Sequence, residues 1–64
     1  MVLDVQKVML AAAEKKLGVT EVFKLAHIAT ATIMRIKKGK EIQTKTAGKL
    51  AEVLGVSVAD LLKS

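Results

Sequence analysis

The chain has 64 residues, about half of them apolar, and its 11 lysines and arginines against 6 acids leave a formal charge of +5. That length sets one small domain over residues 1–64, near the lower size at which a single core holds a fold unaided. Cysteine and proline are both absent, which excludes disulfides and thiolate metal sites and favours helix almost throughout.

The residue pattern predicts five helices. The first runs from about Asp4, a good N-cap, to Leu17, with Gly18 as its left-handed stop. Val5, Val8 and Ala12 form its buried stripe, which Met9 can join. The second covers about Val19 to Ala26 and the third about Ala29 to Lys38, ended by Gly39. Val22, Ala26, Ile28, Ile33 and Ile36 fall where two helices crossing at a steep angle bury them together. Residues 19–38 therefore read as a helix-turn-helix unit. A loop from Lys40 to Gln43 leads to a fourth helix from about Thr44 to Leu54, with Ala47, Leu50, Ala51 and Leu54 inward and Gly55 as stop. In the fifth, Ser57 caps, Asp60 completes a capping box and Val56 staples to Leu61. Every glycine is thereby accounted for as a helix stop. Phe23 is the only aromatic residue, so the core is expected to be aliphatic. No apolar run approaches the roughly 20 residues that span a bilayer, and the N-terminus lacks the pattern of a secretory signal. A soluble cytoplasmic protein with no membrane partner is expected.

The outward face of the third helix carries the chemistry. Thr30, Ala31, Met34 and Arg35 project from it, with Lys37, Lys38 and Lys40 beside them, as in a helix laid in a DNA groove. The positive charge attracts polyanions, among which nucleic acid is the commonest partner. Arg35 is the only arginine; its forked donors suit a guanine edge or a phosphate, against the plainer reading of a solvated surface residue. Ala29, Ala31 and the methyls of Thr30 and Thr32 suit thymine methyl groups, and small residues also permit close approach. The helix holds no Asn or Gln to read adenine, so direct readout is thin and shape readout carries more of the specificity. Met34 is open to three roles: a base contact, a partner subunit, or cover for its neighbours. Lys37, Lys38 and Lys40 suit phosphates, Lys24 and Lys45 less directly. Thr20, at the start of the second helix, offers a hydroxyl and an amide to a phosphate or serves as a cap.

His27 has no cysteine or nearby carboxylate to build a metal site with, so it reads as a turn residue, and neither metal nor cofactor is expected. Leu10, Phe23 and Leu25 exceed what the bundle core needs; they are either a partner surface or simply part-buried. No catalytic triad, paired carboxylates or phosphate-cradling loop is present, so no catalytic residue is expected and the chain reads as a non-enzyme.

The layout resembles the Cro and phage-repressor (Xre-type) helix-turn-helix domains over nearly the whole chain. The most specific parts are Thr32-Ile33 through Gly39-Lys40 and the segment LAEVLGVSVADLL over 50–62. The resemblance implies an all-α, compact five-helix bundle. It also implies base or nearby phosphate contact by Thr30, Ala31, Thr32 and Arg35, and backbone contact by Lys38 and Lys40 around Gly39. Thr44 and Lys45 resemble a second backbone-contact point. The sequence departs from the family at four positions. Phe23 replaces an alanine and must swing outward or widen the helix crossing. His27 replaces a glycine in a turn that needs a positive φ. Ala12 and Lys37 replace the arginine and glutamate of a frequent ion pair, both partners together.

The expectation is a sequence-specific transcriptional regulator, most simply a repressor, binding double-stranded DNA as a homodimer with its third helix in the major groove. The alternative is a protein-interaction module on the same fold, an antitoxin-like or anti-repressor subunit with a protein partner.

Overall fold

Asp4 opens the first helix as its spacing predicts: its Oδ1 accepts the amides of Gln6 at 2.9 Å and Lys7 at 3.4 Å. The computed structural model describes residues 1–63. Four α-helices follow one another, α1 (Val5–Glu14), α2 (Val19–Leu25), α3 (Thr30–Lys37) and α4 (Thr44–Leu54), and a 3₁₀ turn spans Val58–Leu61. The all-helical class and the helix-turn-helix arrangement match expectation. The fifth helix is reduced to that single turn, because Leu62 after it is extended and pairs with Leu3 in an antiparallel bridge. Asp60 still closes the turn, its carboxylate accepting the Ser57 amide at 3.2 Å.

The same left-handed closure ends all four helices. Leu17, Ile28, Lys40 and Val56 each donate an amide to the carbonyl five residues back, at 2.9–3.1 Å. The residue before each stands at positive φ: Lys16 (59), His27 (55), Gly39 (71) and Gly55 (69). His27 thus takes the conformation predicted for it. Two glycine assignments are corrected. Gly18 is not a left-handed stop; it is extended and serves as the N-cap of α2, with the Glu21 carboxylate accepting its amide at 3.3 Å. Lys16 takes the left-handed position instead, so α1 ends at Glu14 and Leu17 turns back to pack on the core. Gly48 stops nothing, since it lies inside α4.

The core gathers Val8 and Ala12 from α1, Val22, Phe23 and Ala26 around α2, Ile36 from α3, and Ala47, Leu50, Ala51 and Leu54 from α4. Leu3, Ile42 and Leu61 complete it. Burying each larger aliphatic side chain contributes about 1.5–3 kcal/mol. Ile28 and Ile33 are half-buried against this cluster, as is Val5, whereas Met9 stays outside at 50% exposure. Phe23 does not swing outward. It is 3% exposed, and the cluster it joins contains the small residues Ala12, Ala26, Ala47 and Ala51, which leave room for its ring.

Residues 1–4, given no role by periodicity, close the fold. The Asp4 amide donates to the Leu61 carbonyl at 2.8 Å, and the Lys63 amide to Val2 at 3.0 Å. On the other side, Met1 and Ile42 exchange hydrogen bonds, Ile42 amide to Met1 carbonyl at 2.9 Å and Met1 ammonium to Ile42 carbonyl at 3.2 Å. The closest element pairings are α2 with α4, α1 with α2, and the 3₁₀ turn with α1 and α4. None of them involves α3, which Ile36 anchors from one side, and which is left with its opposite face open.

Candidate nucleic-acid interface

Because only Ile36 of α3 is buried, with Thr32 and Ile33 half-buried, the helix presents Thr30, Ala31, Met34 and Arg35 to solvent. Ala29 begins α3 in an extended conformation; no side chain caps the helix and no acid sits in its first turn. The first intrahelical bond runs from the Ile33 amide to the Ala29 carbonyl at 3.0 Å, so the earlier first-turn amides point out along the positive end of the helix dipole. At the other end, Arg35 and Lys37 in the last turn complement the negative pole.

α4 begins in the same way. Its N-cap, Gln43, makes no side-chain cap bond, the first turn carries no acid, and Thr44 and Lys45 are exposed there. α2 differs, since Glu21 occupies its first turn and reaches Gly18. Two of the three helix starts considered are therefore open to an anion, and the third is partly neutralised.

The candidate contact residues fall into separate groups. Thr20, Lys24, Thr30 and Lys37 line one groove between α2 and α3, floored by Phe23, Ile28 and Ile33. Thr32 and Arg35 line a second depression, of about 490 Å³, together with Glu41, Ile42, Gln43 and Thr46 at the approach to α4. Lys37, Lys38 and Gly39 border a third, with Asp4 and Gln6 of the α1 start and Lys63. The lysines after α3 are thus divided: Lys37 reaches both flanks of the helix, Lys38 faces the side of α1, and Lys40 is exposed on the turn that follows. Ala31 and Met34 stand on the ridge between the grooves, Met34 at 49% exposure.

Gln43 and Thr46 are polar residues of the second depression that periodicity missed. Residues 40–43 lie in no helix, so a sequence reading treats them as a connector. The signal present was the glutamine itself, an amide side chain four residues after Gly39. Arg35 also departs from a free, outward arginine. Its Nε and Nη2 both donate to the backbone carbonyl of Glu41, at 3.2 and 2.9 Å.

Of the three apolar residues in apparent excess, Leu10 and Leu25 are exposed at 66% and 56%, while Phe23 belongs to the core. No helix among the described residues is long and apolar enough to cross a membrane.

Comparison with known families finds that residues 7–64 match the Cro/C1-type HTH DNA-binding domain. No curated protein and no solved structure matches the chain.

Proposed function

The chain belongs to the family of Cro/C1-type HTH DNA-binding domains, and from that premise we propose that it is a sequence-specific repressor that lays α3 in the major groove. The observation that carries this reading is the open ridge Thr30–Arg35, which starts at an uncapped helix end and is followed by the uncapped start of α4. Thr30, Ala31, Thr32 and Met34 face base edges. Lys24, Lys37, Lys38, Lys40 and Lys45, with Thr20, Gly39 and Thr44, meet phosphates and set the orientation of α3.

The chemistry of the ridge supports a division of labour. Small and apolar side chains at Ala31, Met34 and the threonine methyls suit thymine methyl groups and close approach, while the lysines supply sequence-independent affinity. One such module buries only about 600–1,000 Å² on DNA. Regulation therefore calls for two copies on half-sites about one helical turn apart, and the protein acts as a homodimer. A protein-interaction role on the same fold draws support from Leu10 and Leu25, which are exposed away from the core. It no longer draws on Phe23, which is buried.

Selection of bound duplexes from a random pool, at two salt concentrations, tests the proposal. The expected result is a two-fold-related consensus whose affinity falls steeply with salt. Recovery of no preferred duplex, with binding flat across salt, rejects it; a stoichiometric protein partner in that case favours the interaction role.

A further inference from the structure

Arg35 is tied to the loop after α3 at both of its ends. Its backbone carbonyl accepts the Lys40 amide at 2.9 Å, closing the turn at Gly39. Its side chain then reaches over that turn, and Nε and Nη2 converge on the Glu41 carbonyl at 3.2 and 2.9 Å. The next residue, Ile42, is buried and paired with Met1, and Gln43 follows as the N-cap of α4. The guanidinium edge that holds Glu41 is unavailable to a base, and only the outer Nη1/Nη2 edge remains open. We propose that Arg35 is a positioning residue: its fork braces the 40–43 loop and so sets the first turn of α4, with Thr44 and Lys45, against α3 for joint contact with one DNA backbone. The inference rests on the regulator reading and refines it, because it moves Arg35 from reading sequence to placing phosphate contacts.

A base reader and a brace differ in what they lose. Removing a base contact costs affinity for the preferred duplex and spares a scrambled one. Removing a brace costs both alike, since the contacts it places are with phosphates. The brace also exists without DNA, so it leaves a mark on the free protein. The acceptor is a main-chain carbonyl, which makes the Glu41 side chain dispensable.

The experiment compares the full chain with Arg35→Ala, Arg35→Lys, Glu41→Ala and Lys45→Ala, and with the Arg35→Ala, Lys45→Ala pair. It reads amide hydrogen exchange in the free protein and affinity for a pool-selected duplex and its scrambled counterpart. In Arg35→Ala, exchange at Lys40 and Ile42 is expected to accelerate about five- to ten-fold, the scale of one or two lost hydrogen bonds. Leu50 in the core of α4 should be unaffected. Affinity for both duplexes should fall by a common factor, and that factor should shrink in the Lys45→Ala background because the two residues act on the same contact. Arg35→Lys restores charge without the fork, so the loop should still exchange fast; Glu41→Ala should leave it protected.

Loss confined to the selected duplex overturns the proposal, as does unchanged loop exchange in Arg35→Ala, loss of protection in Glu41→Ala, or full restoration by lysine. If the unaltered chain binds no duplex, the regulator reading fails first, and with it the role in DNA contact; the exchange data then judge the brace itself.

Discussion

The amide of Ile28 donates to the carbonyl of Phe23 at 3.0 Å, and this closure stands His27, just before Ile28, at φ 55. A left-handed conformation strains any residue with a β-carbon by roughly 1–2 kcal/mol, somewhat less for histidine. Glycine removes that strain but gives the unfolded chain more freedom to lose, about 0.4–1 kcal/mol. His27→Gly is therefore expected to stabilise the domain by about 0.5–1 kcal/mol, a rise in Tm of a few degrees at this size. Thermal melts of the two proteins at one concentration check it. A lower Tm would mean that the imidazole makes a stabilising contact which outweighs the backbone.

Phe23→Ala tests whether the one aromatic ring is structural. With 3% exposure it lies wholly in the core, and emptying such a site costs about 3–5 kcal/mol in lost transfer energy and cavity. A domain of this length has a total stability on the order of 3–10 kcal/mol. The variant should lose most of its cooperative unfolding transition in urea. A midpoint within the scatter of the parent protein would place the ring outside the core.

Gly48→Ala should act in the opposite direction. Gly48 sits in the interior of α4, and a β-carbon built there meets nothing within 4 Å. Alanine in a helix interior gains about 0.5–1 kcal/mol over glycine. A gain of that size in urea denaturation is expected. A loss would show that a second copy of the chain packs against α4 there and that the added methyl group excludes it.

These positions also mark what periodicity can and cannot reveal. Ala47, Leu50, Ala51 and Leu54 recur at helical spacing, so their burial was readable from the chain alone. Gly39 and Gly55 marked two of the left-handed turns, whereas the one at His27 followed only from the resemblance to the family. The errors cluster where a contact between distant segments decides. Lys16 rather than Gly18 turns left-handed because Leu17 has to fold back onto the core, a packing demand that local propensity does not contain. The fifth helix shrinks to one turn because Leu3 pairs with Leu62. Phe23 goes inward because alanines elsewhere in the cluster leave space. At the candidate site, the ridge on α3 was legible as a surface stripe. The attachment of Arg35 to Glu41 was not, since a main-chain acceptor leaves no trace in residue identity.

Lys38→Ala separates phosphate contact from a solvated lysine. Lys38 caps α3 and borders a depression shared with Asp4 and Gln6 of the α1 start. Each phosphate neutralised adds about 0.9 to the slope of log affinity against log salt. In the DNA complex proposed above, the variant should weaken selected and scrambled duplexes alike and reduce that slope by about 0.9. Titrations over a range of salt measure it. An unchanged slope would assign Lys38 to the α1 side of the molecule and leave Lys37 and Lys40 as the cations after α3.

Met34→Glu puts the ridge itself to the test. Met34 is 49% exposed at the middle of the open face, so the change empties no core site. Lys38 lies four residues on, and a glutamate N-terminal to a lysine at that spacing adds about 0.2–0.5 kcal/mol to a helix. Folding stability should therefore hold or rise slightly. A carboxylate set against a groove lined by phosphates, by contrast, is expected to cost several kcal/mol of binding, since juxtaposed like charges repel. The predicted outcome is an unchanged or higher Tm with binding to every duplex reduced by about 100-fold or more, the scale of about 3 kcal/mol. Retained affinity in a folded Met34→Glu protein would move the DNA surface off α3 altogether, because no nearby position on that face escapes the same charge.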